Sequence, residues 1–173
     1  MREAAVLVPL VEAEREPLSL VFIHRAKHGL HGDQIAFPGG GIEPGDRTPA
    51  AAALREFEEE LGAGRDEVEV LETLPAMETR TTGYRVFPVL GRLHRLPVWS
   101  PDPREVAGAL VVPVRDLVSP ERRGKIELPF DIWNEPRSVP YVQAGRHRIW
   151  GLTYRILEVV LPRFAHGLDA PRP

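Results

Sequence analysis

Cysteine is missing from all 173 residues, and disulfides, thiolate metal sites and cysteine nucleophiles go with it. The absence leaves the redox compartment undetermined and metals with oxygen ligands open. Long hydrophobic runs are missing too. Nothing approaches the roughly 20 apolar residues of a membrane span. The first stretch, "MREAAVLVPLVEAERE", has an apolar run broken by charge and lacks the basic start and small-residue cleavage site of a signal peptide. A soluble cytoplasmic chain with no membrane partner is the expectation. A strong charge of either sign is also lacking: the formal net charge is −3 and the pI is near 6.1. No overall positive field is available for nucleic acid, so an anionic ligand must be held locally. Internal repeats and low-complexity linkers are absent, and 43% hydrophobic residues suffice for one domain spanning 1–173.

What is present reads as alternating strands with two main helices. "AAVLVPLV" (4–11) and "LSLVFIHRA" (18–26) predict strands joined by a polar turn, and "DQIAFPGGG" is a short strand ending in a proline-glycine break. Residues 66–77, 83–93 and 106–114 are rich in β-branched side chains and predict further strands, with a proline-rich surface loop around Pro97, Pro101 and Pro103. "RDLV" begins a short helix or turn. "IWGLTYRILEVVLPRFA" (149–165) places Leu152, Ile156, Val159 and Val160 at helical spacing. This order is not the regular alternation of a doubly wound parallel sheet, and it favours an α+β sandwich. The apolar last helix is compatible with a monomer or a homodimer.

The central helix carries the chemistry. Thr48 is placed to cap it and Pro49 suits its first position, where a missing N–H costs nothing. Ala50, Ala53, Leu54, Phe57 and Leu61 follow i, i+3, i+4, i+7 spacing and form the expected buried stripe. At about 100° per residue, Glu56, Glu59 and Glu60 share a face beside it, whereas Glu58 points elsewhere and is expected to be solvated. Like charges at this spacing repel, and the C-terminal half of a helix disfavours negative charge. Three converging carboxylates without a soft ligand suit Mg²⁺ or Mn²⁺. Arg55 is placed to hold a carboxylate through a two-point pair. Ahead of the helix, Gly39, Gly40 and Gly41 let the backbone present a carbonyl to a metal or an amide to a phosphate.

Taken together, Gly40, Asp46, Arg55, Glu56, Phe57, Glu59, Glu60 and Gly62 resemble the Nudix box, the strand-loop-helix signature of hydrolases acting on nucleoside diphosphates linked to another group. "REFEEELG" matches its helical half, with Ala63 at the final apolar place. The loop half differs: where the pattern has a glutamate, this chain has Asp46 in a loop one residue longer. The resemblance implies an α/β/α sandwich with a mixed central sheet. It further implies Glu56, Glu59, Glu60 and the Gly39 carbonyl as metal ligands, and Arg55 as the residue that orients a glutamate. The longer loop, with "HGDQIAFPGG", "DPREVAGALVVPVRDLV" and "VPYVQAGRHRIWGLTYRIL", is similar to the branch that cleaves coenzyme A and its thioesters, over about residues 18–161. That branch carries a leucine-arginine pair ahead of the histidine, and "AKHGLHGDQ" lacks it.

Diphosphate cleavage needs charge neutralisation and a proton acceptor. Glu59 or Glu60 serves as the base in one reading, and Glu105, just before the strand "VAGALVVPV", in another. His24, Arg25, Lys27, His28 and His31 cluster near the glycine loop as candidate phosphate-binding groups; Gly40, Arg80 and Arg85 are further candidates, and Tyr84 or Trp150 could stack an adenine. The leading expectation is a nucleotide substrate, coenzyme A or a derivative, split into 4′-phosphopantetheine and adenosine 3′,5′-bisphosphate. ADP-ribose, NADH and dinucleoside polyphosphates are the alternatives within the same chemistry. A non-catalytic nucleotide-sensing module is the alternative outside it.

Overall fold

The computed structural model of the chain describes residues 1–14, 17–26, 34–79, 83–128 and 136–164. In order, the elements are β1 (Arg2–Val11), β2 (Ser19–Arg25), β3 (Ile35–Ala36), β4 (Gly39–Gly41), α1 (Pro49–Leu61), β5 (Val68–Thr73), β6 (Met77–Glu78), β7 (Tyr84–Leu93), β8 (Val106–Pro113), α2 (Val114–Val118), β9 (Arg123–Leu128), β10 (Arg137–Ala144), β11 (His147–Trp150) and α3 (Gly151–Val160). The α+β reading holds: a mixed sheet lies between α1 and α3.

The sheet is organised on β1. It runs parallel to β7 from Arg2 opposite Tyr84 to Val11 opposite Leu93. Its other edge is shared: Ala4, Ala5 and Val6 pair with β4, whereas Leu10 and Val11 pair with β2. The strand changes partner in between, where the Leu7 amide donates to the Pro38 carbonyl at 2.8 Å. Pro9, which has no amide to donate, falls in this gap and interrupts neither ladder. Beyond β2 lie β8 and β3, and beyond β7 lie β5 and β6.

Alternation along β1 and β2 builds two cores at once. Ala5, Leu7, Val11, Val21 and Ile23 pack against Ala53, Phe57 and Leu61 of α1. Their neighbours Val8, Leu10, Leu20 and Phe22 pack on the other side against Ile156, Leu157 and Val160 of α3. Burial on both faces is why these strands read as nearly continuous apolar runs.

Several boundaries differ from expectation. The stretch at 66–77 is broken by Leu74–Ala76 into β5 and β6, with a short 3-10 turn at Arg65–Glu67 ahead of them. Ile149 and Trp150 complete a strand, so the last helix begins at Gly151, where φ is +67°. Its buried face is Thr153, Ile156, Leu157 and Val160; Val159 turns to solvent at 39% exposure. The antiparallel sheet β9–β10–β11 is not anticipated by the sequence reading. Pro140 disguises β10; it lies beyond the end of β11, where only β9 pairs with that strand.

Candidate active site

The acidic helix starts and stops for local reasons. The Thr48 hydroxyl accepts the Ala51 amide at 3.1 Å, with Pro49 in the first turn. At the other end Gly62 has φ +67° and donates its amide to the Glu58 carbonyl at 2.9 Å. A side chain there would meet the Ser100 carbonyl at 2.4 Å, so left-handed backbone and close packing both require glycine. Between these ends the buried residues are Ala52, Ala53, Phe57, Glu60 and Leu61, with Ala50 and Leu54 half-buried. One carboxylate therefore sits within the apolar stripe.

That carboxylate is Glu60, 2% exposed. It accepts the Gly39 amide at 2.9 Å, and its other oxygen lies 3.5 Å from an Arg25 guanidinium nitrogen at the end of β2. Burial pushes the Glu60 carboxyl up to about 7, helped by the charges of Glu56 and Glu105 and opposed by Gly39 and Arg25. Burial also raises Glu56, against the pull of Arg55. The Glu56 carboxylate lies on the glycine strand: a Cβ at Gly40 would stand 2.4 Å from its Oε1. Gly39 serves the sheet in the same way, since a Cβ there would meet the Ala5 carbonyl at 2.3 Å.

Arg55 is the hub of the remaining charges. Its Nε donates to Asp46 Oδ1 at 3.3 Å and its Nη2 to Asp46 Oδ2 and the Gly41 carbonyl, both at 3.0 Å. Its Nη1 donates to Glu56 at 2.9 Å and Glu59 at 3.0 Å. The Asp46 bond, first among several, raises the Arg55 pKa further and holds the Asp46 carboxyl below its usual range. Among the described residues no group of three or more acidic or histidine side chains is gathered tightly enough to hold a metal ion. Glu60 faces Gly39 and Arg25, while Arg55 spans Glu56 and Glu59.

The structure thus brings together Arg25, Gly39, Gly40, Arg55, Glu56, Glu59 and Glu60. Glu105 joins them on an exposed turn, close enough for its charge to act on both Glu56 and Glu60, and its carbonyl accepts the Ala26 amide at 2.8 Å. Arg85 stands apart. It is 3.8 Å from Glu3 and packs over Phe87 at 5.3 Å, lining a cavity of about 1070 Å³ with Glu3, Glu72 and Glu78. None of the clustered carboxylates lines that cavity. His24 is on the opposite face of β2 from Arg25, its ring 4.8 Å from that of His147. The Tyr84 ring is covered by the Arg2 guanidinium at 4.3 Å, and Trp150 closes the β10–β11 ladder opposite Tyr141. Lys27, His28, His31 and Arg80 lie outside the described residues. Glu58 is not merely solvated but pairs with Arg65, which lowers its pKa. The sequence reading matched Asp46 to the acid of the loop pattern without giving it a contact; the turn-forming "EPGD" aims it back at Arg55.

The model of the NUDIX domain matches residues 1–131. The chain belongs to the Nudix hydrolase family. It is 34% identical over 149 residues to the uncharacterized Nudix hydrolase NudL of Citrobacter koseri, covering 86% of this chain and 70% of that protein. The counterpart in Salmonella newport is 33% identical over 159 residues, 90% of this chain and 79% of its own. Among solved structures, a Nitrosomonas europaea Nudix hydrolase superposes with a TM-score of 0.61 at 17% identity, over 96% of this chain and 73% of that one. A C. elegans Ap4A hydrolase complex gives 0.60 at 17%, over 97% and 98%. These two likenesses establish the fold alone. As a Nudix hydrolase the chain is a pyrophosphohydrolase, a class that generally uses divalent metals. No helix among the described residues is long and apolar enough to cross a membrane.

Proposed function

We propose that this Nudix hydrolase splits the diphosphate of coenzyme A or a derivative into 4′-phosphopantetheine and adenosine 3′,5′-bisphosphate. The observation that carries the chemistry is the pairing of a buried Glu60, tied to the Gly39 amide, with the more exposed Glu56 and Glu59 on the same helix. The donor set fits a hard cation: carboxylate and carbonyl oxygens, no sulfur, and a carboxyl raised by burial despite Arg25 beside it. Glu56, Glu59, Glu60 and the Gly39 carbonyl would hold Mg²⁺ or Mn²⁺. When bound, such a cation neutralises diphosphate charge and lowers the pKa of a coordinated water.

The protein's own groups do the rest. Gly40 leaves room for the Glu56 carboxylate to lie against the backbone. Arg25 supplies a cation beside Glu60 that can meet a phosphate oxygen. Glu59, more than half exposed, and Glu105 are the two carboxylates placed to take a proton from an attacking water.

The coenzyme A assignment is supported by the flanking stretches similar to that branch and by the longer Asp46 loop. The missing leucine-arginine pair in "AKHGLHGDQ" favours a second reading, with ADP-ribose, NADH or a dinucleoside polyphosphate as substrate. The Ap4A hydrolase named above and the NrtR Nudix domain of Shewanella oneidensis, solved with ADP ribose (TM-score 0.51, 17% identity, over 68% of this chain and 76% of that one), belong to the same fold. The test is product analysis by mass spectrometry after parallel incubation of purified protein and Mg²⁺ or Mn²⁺ with coenzyme A, ADP-ribose, NADH and diadenosine tetraphosphate. Adenosine 3′,5′-bisphosphate from coenzyme A, ahead of turnover of the others, is the expected result; preference for another substrate overturns the assignment.

A further inference from the structure

The chain is acidic overall, with a formal net charge of −3, yet from Pro136 to Leu157 it has no acidic residue and carries Arg137, Arg146, His147, Arg148 and Arg155. The fold sorts these cations. Arg155 donates to the Glu78 carbonyl at 2.9 Å, and Arg137 lies opposite Leu128 at the end of β10 away from the turn. Arg146, His147 and Arg148 stay together where β10 turns into β11. The turn is Gly145–Arg146, between the paired residues Ala144 and His147; Gly145 has φ +58°, and its carbonyl accepts the Gln143 side-chain amide at 2.9 Å. Arg146 is exposed at the apex, its Nε 3.5 Å from His147 Nε2. Among the described residues no carboxylate pairs with Arg146 or Arg148. Cations held in this way are available to an anion.

His147 sets where that anion lies. Its ring meets the His24 ring at 4.8 Å, and β11 lies against β3. The next residue of β2, Arg25, reaches Glu60 at 3.5 Å on the other face of the sheet. The carboxylate cluster and the hairpin turn therefore flank the same end of β2. We propose that Arg146, placed by the turn and by His147, binds a phosphate monoester carried on the same sugar as the diphosphate, as the ribose 3′-phosphate of coenzyme A is. A guanidinium presents paired donors to such a dianion. ADP-ribose, NADH and diadenosine tetraphosphate carry no phosphate monoester there, so the hairpin separates substrates that the shared diphosphate chemistry does not. Arg148, adjacent in the strand, points to the opposite face of the ladder and packs over the Tyr141 ring at 4.9 Å. It lies outside the site and controls for a general effect of positive charge. The inference rests on the coenzyme A reading for its kinetic readout alone.

The experiment measures kcat and KM of the wild type, Arg146→Ala and Arg148→Ala on coenzyme A and on 3′-dephospho-coenzyme A, and binding of adenosine 3′,5′-bisphosphate and AMP by calorimetry at one ionic strength. The wild type should bind the bisphosphate about 10-fold more tightly than AMP, the scale of one hydrogen-bonded charge. Arg146→Ala should abolish that preference and raise KM for coenzyme A by about 10-fold, leaving kcat and the dephosphorylated substrate nearly unchanged. Arg148→Ala should change either quantity by less than about twofold. A loss shared by both substrates, an equal loss in Arg148→Ala, or a wild type without preference for the bisphosphate overturns the proposal. Should coenzyme A stay uncleaved while Arg146→Ala removes a wild-type preference for the bisphosphate, the function reading fails and the phosphate site stands. Cleavage of coenzyme A without that preference leaves the function reading and removes the site.

Discussion

Replacing Glu60 with glutamine should make the metal-free protein more stable and the enzyme inactive. The carboxyl is 2% exposed, and its pKa is lifted from 4.5 to about 7, burial being the first cause. A group whose folded-state pKa exceeds its unfolded value favours the fold while protonated. Its contribution is complete below about 4.5 and is lost as pH rises through about 7. The gap, 7 minus 4.5, corresponds to about 3 kcal/mol at about 1.36 kcal/mol per pH unit. Glutamine is neutral throughout and retains an oxygen for the Gly39 amide. Urea denaturation in EDTA should therefore find Glu60→Gln more stable than wild type by up to about 3 kcal/mol at pH 8, with the advantage gone by pH 4.5. The carboxyls of Asp46, Glu58 and Asp102 shift the opposite way, and they favour stability at higher pH in both proteins, so they cancel in the difference. The same variant should lose at least about 100-fold in turnover with Mg²⁺ or Mn²⁺ present. A stability difference independent of pH would refute the reasoning.

Added Mg²⁺ or Mn²⁺ should raise the melting temperature of the wild type but not of Glu56→Gln or Glu60→Gln, by about 2.7 kcal/mol of stabilisation at a hundred times Kd; equal shifts in all three would exclude these ligands. Gly40→Ala puts a methyl 2.4 Å from Glu56 Oε1, at the far end of a flexible side chain. It should cost less than about 1 kcal/mol in urea denaturation yet reduce kcat roughly 10- to 100-fold, because the carboxylate must move while the fold need not. Gly62→Ala combines a left-handed backbone with a clash against the Ser100 carbonyl, and should cost about 1–3 kcal/mol by the same denaturation assay.

The parts of the fold that read correctly from sequence are those where one physical signal acts alone. The α1 cap and its proline are local, and each appears where the residue type demands it. The long strands β1, β2, β7 and β8 announce themselves because burial on both faces makes most of their length apolar. The sheet β9–β10–β11 was illegible for the converse reason. Its residues are mostly half-buried or exposed, with charges at Arg123, Lys125 and Glu127 and a proline in the middle strand. The start of α3 was misplaced because Ile149 and Trp150 continue its apolar character while belonging to a strand; only the backbone turn at Gly151 separates them.

At the site, helical periodicity was enough to put Glu56, Glu59 and Glu60 on adjoining positions of one face, but not to show how each is held. How they are held is tertiary. A single step around the helix separates Glu59, which looks out to solvent, from Glu60, which is closed in between the glycine strand and β2. Helical spacing puts Glu60 at the edge of the apolar stripe and Glu59 away from it, but the closure around Glu60 is supplied from outside α1. It depends on Gly39 pairing with Val6, and so on a strand contributed from the far end of the chain. Asp46 was matched by its place in the pattern, but its bond to Arg55 was not read, because that depends on the turn that points it there. Repulsion among like charges was the clue to the site, and the fold resolves it unequally: Arg55 takes two of the three carboxylates, while Glu60 keeps a buried place beside the partly exposed Arg25. The helix that supplies the apolar stripe thus also buries a carboxylate within it, a local conflict between charge and burial of the kind that functional sites carry.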